Sequence, residues 1–357
     1  MKTTWRWWII GLVSHTHPGV TELTSGQGLK MSCSQLVVDR IDPIQSPGVI
    51  GSNHLHQIVG GNSFNATMSP QDDPSRVSTC TTCTLLNDFS NYWTATMFYR
   101  HPNGTYRRVR QLGALWHESA REGGMTVYYF PPARNLSNIV AFKPGFRMRN
   151  GSPDARNATS ASRYQGIQYT CMMRDDTRYT NLTDTFPDHP CPAGILTTIY
   201  FPPCWDGVNL DSPDHYSHVA WPTTGRKGFE QGDPCPASHP VKIPQVVLET
   251  RWDTRLLNNV QDWPRGKGQQ PFVWSFGDST GYGHHGDYIF GWKGDALNRA
   301  FTNCSTPNCD LPSQEIYEAN RCAKEAVVKE EVDRYITAMP GGILADGQLS
   351  WGRSGSR

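Results

Sequence analysis

The stretch CWDGVNLDSPDHYSHVAWP, residues 204 to 222, gathers Asp206, Asp211, Asp214, His215 and His218 between Trp205 and Trp221. His215 and His218 are three apart, which on a helical turn sets both imidazoles on one face, with Asp211 and Asp214 near enough to orient them. A carboxylate on the far ring nitrogen fixes the imidazole tautomer, an arrangement shared by metal ligands and general bases. The same residues read equally well as a braced loop, because Asp and Ser before Pro213 are turn formers whose side chains bond nearby main chain.

Two more clusters carry the same residue types. In SNHLHQIVGG, His54 and His56 are separated by one residue, so on an extended chain both rings leave one face and can grip one ion. In GDSTGYGHHGDYIFGW, His284, His285 and Asp287 follow glycines that admit backbone conformations closed to other residues. His239 in CPASHP is a fourth contributor. Loops gathered at one end of a β-structure would join these groups in a single polar cleft. Trp93, Trp205, Trp221, Trp252, Trp274 and Trp292 could each lay an indole face under a sugar ring or fill a core. Trp205, beside Asp206, is the expected exposed one.

The elements that must position these groups read as β. CSQLVVDRID, YWTATMFYR, MTVYYF, NIVAFKPGFRM, RYQGIQYTCM, GILTTIYF, VKIPQVVLE and GDYIFGWKG are strand-like runs separated by Gly- and Pro-rich turns. Trp93, Ala95, Met97 and Tyr99 alternate with Tyr92, Thr94, Thr96 and Phe98, which predicts a half-buried antiparallel sheet. The expected fold is mainly β, an antiparallel sandwich or jelly-roll-like domain over residues 28–325 with long disulfide-braced loops and a C-terminal helix. SQEIYEANRCAKEAVVKEEVDRYITAM, with no internal Gly or Pro, reads as that helix, ended by Pro340 and Gly341. Residues 326–357 would then be the helix end and a disordered tail.

Composition narrows the partners. Lys and Arg (33) balance Asp and Glu (32), so no electrostatic grip on nucleic acid or anionic lipid is expected. Ten cysteines scattered along the chain suit long-range disulfides, and the CxxC of Cys80 and Cys83 has no second pair to make a zinc knuckle. Asn65, Asn103, Asn135, Asn150, Asn157, Asn181 and Asn303 begin glycosylation tripeptides, which together with the cysteines point to a secreted glycoprotein. Residues 1–27 read as a signal peptide or a mis-assigned N-terminus, and no stretch reaches the length of a membrane span. Gly-x-Ser-x-Gly, Walker and His-Glu-x-x-His motifs are absent, which disfavours serine hydrolase, nucleotide and zincin chemistry.

The segments SCSQLVVDRIDPIQSPGVIGSNHLHQIVGGNSFNATM, CWDGVNLDSPDHYSHVAWP, CPASHPVKIPQ and WSFGDSTGYGHHGDYIFGWKGDAL closely resemble the fungal secreted family catalogued as domain of unknown function 1996. The resemblance maps family motifs onto His54, His56 and Gln57; onto Asp206, Asp211, His215 and His218; onto His239; and onto His285 and Asp287. It implies a secreted or cell-wall-associated protein and names no reaction.

Three readings follow. In the first, a monomer binds or acts on cell-wall polysaccharide, as a hydrolase or lyase if it is an enzyme. His56 or His215 moves the proton, Asp206 or Asp211 is its carboxylate partner, Trp205 or Trp93 stacks the sugar, and Gln57, His239 and Asp287 line the cleft. In the second, His54 and His56 with His215, His218 or His285 hold copper or zinc. In the third, a non-catalytic wall or effector protein uses its histidines only to brace loops.

Overall fold

A computed structural model describes residues 28–113, 123–131, 140–225, 234–266, 268–302 and 311–350. The expected leader, Asn135, Asn303, Cys304 and Cys309 lie outside the described residues.

Runs of β-branched and aromatic residues form the strands β1 (Leu29–Ser34), β2 (Val37–Asp39), β3 (His56–Gly60), β4 (Asn91–Ala95) and β5 (Met97–Arg100). They continue as β6 (Tyr106–Arg108), β7 (Gly124–Phe130), β8 (Arg147–Gly151), β9 (Ile167–Cys171), β10 (Ile195–Tyr200) and β11 (Cys204–Trp205). The last are β12 (Val219–Ala220), β13 (Val241–Lys242), β14 (Gln245–Trp252), β15 (Phe272–Trp274) and β16 (His285–Ile289).

Two five-stranded sheets, ordered β1-β7-β14-β10-β9 and β2-β3-β4-β16-β8, are antiparallel throughout. They face each other over a shared core in which Met31, Val127, Leu248 and Ile199 of the first meet Val59, Tyr92, Met148 and Tyr288 of the second. Gly286 lies where they approach closely: a Cβ there would sit 2.9 Å from the Ile199 Cδ1 atom. Three-stranded sheets β15-β5-β6 and β12-β11-β13 complete the set. The expected antiparallel β architecture is therefore present.

The half-buried reading of YWTATMFYR needs correction, since residues 92–99 are buried on both faces. Tyr92 packs between the sheets, whereas Trp93 packs on the outer face with Ile58, Phe64 and Ile289. At Thr96 the chain changes sheet, so β4 and β5 belong to different ladders.

Among the described residues four disulfides join Cys33 to Cys83, Cys80 to Cys322, Cys171 to Cys191 and Cys204 to Cys235. The CxxC is thus split between two partners. A C-terminal helix exists but is short, Ile316–Ala319. The long helix expected to Met339 does not form, because tertiary partners claim its main chain and side chains. Asp39 accepts from the Val327 and Val328 amides, Arg40 pairs with Glu330, Arg108 pairs with Asp333, and Ile336 bridges Tyr106. Residues 340–345 pack on the domain, where Ile343 and Ala345 are buried with Leu55 and Phe98 and the Ala345 amide donates to the Tyr106 hydroxyl, while residues 346–349 are exposed.

Candidate metal centre

Strand register brings two of the three sequence clusters together. On the outer face of the second sheet, Asp39 pairs with His56 and His56 with Ala95. Continuing the β4–β16 register by one residue sets His285 opposite Ala95. A small residue therefore separates two imidazoles that leave the same face. His54, just before β3, closes the group.

The ligand atoms of His54, His56 and His285 all lie within 4.8 Å of one another. His54 Nε2 is 3.2 Å from His285 Nε2. His285 Nδ1 donates to the Gly283 carbonyl at 2.9 Å, which places the proton on Nδ1 and leaves Nε2 as a lone pair directed at His54. Neither ring nitrogen of His56 has a partner at hydrogen-bonding geometry; the Ile41 main chain and the Asp42 carboxylate face it. The three residues are 6 %, 0 % and 1 % exposed. Phe276 caps them, its ring 5.1 Å from that of His54 and 5.3 Å from that of His285, with Arg156 over its outer face.

Burial keeps these rings neutral. It pushes His54 well below the usual imidazole range, helped by His56, His285 and Arg149, and brings His285 down to about 3. It also lowers His56, although the Asp42 carboxylate opposes the shift. A neutral imidazole is the form that ligates a metal. Asp287, on the same face as His285 and opposite Arg149, is fully buried with no hydrogen-bond partner on either oxygen. Burial and the Asp42 charge raise its carboxyl well above the ordinary range.

The other expected residues sit elsewhere. Gln57, adjacent to His56 along the strand, points to the opposite face beside Thr94. His284 stacks on Trp274 at 4.1 Å and leaves the cluster. Residues 204–218 lie along the free edge of β8, where the Arg147 and Arg149 amides donate to the Leu210 and His215 carbonyls. There Asp211 Oδ1 holds His215 Nδ1 at 2.7 Å. Asp206 accepts from the Val208 and Asn209 amides, and Asp214 from the Tyr216 and Ser217 amides. These two carboxylates brace the loop. His218 is buried against Phe146 with Nδ1 at Ser212, and His239 Nε2 donates to the Ser217 carbonyl.

The single cleft expected from four loops is therefore not formed by the described residues: His54, His56 and His285 share one buried centre, while His215, His218 and His239 belong to the β8 edge. Depressions beside Trp263 and Phe272, beside Tyr164 and Asp184, and beside Leu55 and Val328 are lined by none of the three clustered histidines. Trp205, expected to be exposed, is 4 % exposed with its Nε1 donating to the Asn209 carbonyl, and Trp93 is 0 % exposed. Neither indole offers a free face to a sugar. Asp42, Arg149 and Phe276 were not singled out in the sequence; each comes to the centre through tertiary packing, and no local motif marks it.

No curated protein and no solved structure matches the chain. A family model described as Domain of unknown function (DUF1996) matches residues 42–292, a span that includes all three clustered histidines.

Proposed function

The chain belongs to that family, whose description assigns no chemistry, and from this premise we propose that it is an exported metal-binding protein holding one zinc or copper ion between His54, His56 and His285. The observation that carries the reading is the convergence of three neutral, buried imidazoles with ligand atoms within 4.8 Å. Tetrahedral zinc with Zn–N of about 2.0–2.1 Å needs neighbouring nitrogens about 3.3 Å apart, close to the His54–His285 separation of 3.2 Å. Imidazole donors suit zinc and copper. Export is supported by four disulfides, and no helix among the described residues is long and apolar enough to cross a membrane.

Metal analysis of the purified full chain, washed with chelator and then reconstituted, tests the reading. One equivalent of zinc or copper regained by the native protein and lost in His54→Ala and His285→Ala is the expected result. No stoichiometric uptake removes it.

A second reading, binding or turnover of cell-wall glycan, rests on the Asp211–His215 pair. Its side chains are 28 % and 18 % exposed, and the carboxylate orients an imidazole that a substrate could reach. Pull-down and reducing-sugar assays on wall polysaccharide, native against His215→Ala, decide it: equal behaviour of the two proteins ends this reading.

A further inference from the structure

The three rings are closed off from water, so an ion reaches them by displacing a side chain. Phe276, which packs against both His54 and His285, is 9 % exposed, and over its outer face stands Arg156, whose side chain is 38 % exposed. On that side one ring separates the centre from the surface. Phe276 sits in a tight turn after β15, in which the Gly277 amide donates to the Trp274 carbonyl at 2.7 Å and the Trp274 amide to the Asp278 carbonyl at 2.9 Å. Ser275 ties down the base of the turn: its amide donates to the Thr96 carbonyl at 2.9 Å and its hydroxyl to the Leu55 carbonyl at 2.7 Å. The tip is held by a distant part of the chain. The Asp346 amide donates to the Gly277 carbonyl at 2.8 Å, and a Cβ on Gly277 would overlap the Gly347 main chain and stand 2.7 Å from the Leu344 carbonyl oxygen.

Residues 344–348 form a turn of their own, with the Leu344 amide donating to the Gln348 carbonyl at 2.8 Å and the Gly347 amide to the Leu344 carbonyl at 3.0 Å. Residues 346–349 are exposed, whereas Trp274 and Ser275, beneath the cap, are fully buried. Main-chain hydrogen bonds at the surface, with few buried contacts around them, mark the parts of a fold that open locally at low cost. We propose that this turn is the latch of the histidine centre: closed, it holds Phe276 over the rings, and its local opening is the step through which the ion enters and leaves. This deepens the three-histidine reading and rests on it. The latch acts on the cap and not on a ligand, so it sets the rate of exchange in both directions and leaves the affinity unchanged.

Asp346→Pro tests this in the full chain, because proline has no amide hydrogen for the Gly277 carbonyl and cannot adopt the φ of 81° found at this position. Asp346→Gly keeps the amide, accepts that φ and serves as the control. Zn2+ is the probe, or Cu2+ where the native protein takes only copper; its release into excess chromophoric chelator is followed in time, and its affinity is measured by competition at equilibrium. Asp346→Pro should release the ion about 5- to 10-fold faster, the change in an opening equilibrium that one lost hydrogen bond brings, with affinity within about twofold of native. Asp346→Gly should release it at the native rate. Release at the native rate from the proline variant, or faster release matched by an equal loss of affinity, would overturn the latch and leave the three-histidine centre standing. Absence of zinc and copper binding in the native protein would remove the centre and the latch with it. Should the proline variant lose its near-ultraviolet circular dichroism, Gly347→Val, a β-branched residue forced to a φ of 76°, repeats the comparison.

Discussion

His54 Nε2 and His285 Nε2 face each other at 3.2 Å across a distance of more than two hundred residues in sequence, inside a protein that shields both rings from water. Without a cation this contact is a hydrogen bond from His54 Nε2–H to His285 Nε2; with one, His54 would take the neutral tautomer with its proton on Nδ1, so that both Nε2 lone pairs point at the ion. Metal binding to the folded form alone stabilises it, by about 2.7 kcal/mol when free ion is 100 times the dissociation constant. Thermal unfolding of chelator-washed protein should therefore shift upward on adding Zn2+. His285→Ala should abolish the shift, and an unchanged shift in that variant would contradict the assignment.

Gly283 does two things for this centre. Its carbonyl holds His285 Nδ1, and its missing side chain leaves space for Phe276: a Cβ would fall 2.7 Å from Phe276 Cε2 and 2.9 Å from Asp278 Oδ2. Gly283→Ala should cost about 1–3 kcal/mol in denaturant unfolding through overpacking. Zn2+ affinity should fall by about tenfold or more as the clash with Phe276 and Asp278 displaces the residue 283 carbonyl that orients His285. Unaltered unfolding and affinity together would show that the Phe276 cap has room to spare.

The strands were legible because runs rich in β-branched and aromatic residues stand between Gly- and Pro-rich turns: MTVYYF falls in β7, GILTTIYF contains β10, and the first four residues of GDYIFGWKG fall in β16. The His54–His56 spacing was legible as two rings that an extended chain sends to one side, with His56 opening β3 and His54 just before it. Their meeting with His285 depends on β16 pairing with β4, a long-range register that no local pattern encodes. The C-terminal segment shows the opposite failure. Ala, Glu and Lys favour helix there, yet Asp39, Arg40, Arg108 and Tyr106 capture it as an extended strap, and packing outweighs propensities of less than about 1 kcal/mol per residue.

Cys80–Cys322 ties that strap to the sandwich across a sequence separation of 242 residues, against 20 for Cys171–Cys191. In the chain-entropy account the longer closure contributes more, about 5 kcal/mol against about 3 kcal/mol. The double variant Cys80→Ser/Cys322→Ser should lose more unfolding free energy than Cys171→Ser/Cys191→Ser, and its C-terminal segment should be the first cut in limited proteolysis. Equal losses would place the effect in native-state packing instead.

Asn150 begins a glycosylation tripeptide but is 0 % exposed, and its Nδ2 donates to the Gln165 and Tyr200 carbonyls at 2.7 Å each. Asn65, Asn103, Asn157 and Asn181 are exposed. Peptide mass spectrometry of protein exported from a glycosylating host should find glycan among those four and none at Asn150. Glycan on Asn150 would be incompatible with the β8 position described above.

Asp88 lies at the end of a buried chain of hydroxyls: Tyr92 donates to its Oδ2 at 2.6 Å and meets Tyr129 at 2.5 Å, and Tyr129 donates to Tyr288 at 3.0 Å. Burial raises its carboxyl from 3.8 to about 6, against the hydrogen bonds from Ser90 and Tyr92. Between those two values the folded protein carries a proton that the unfolded chain has released, so this group favours folding at low pH and loses that advantage as pH rises to about 6. The change is on the order of 3 kcal/mol, from about 1.36 kcal/mol per pH unit over that interval. Asp88→Asn has no such titration. The unfolding free energy of the native protein minus that of the variant should therefore fall as pH is raised from 4 to 6 and level off above it. A difference that stays flat or rises across this range would mean that Asp88 is ionised throughout and that the tyrosine hydroxyls alone satisfy its charge.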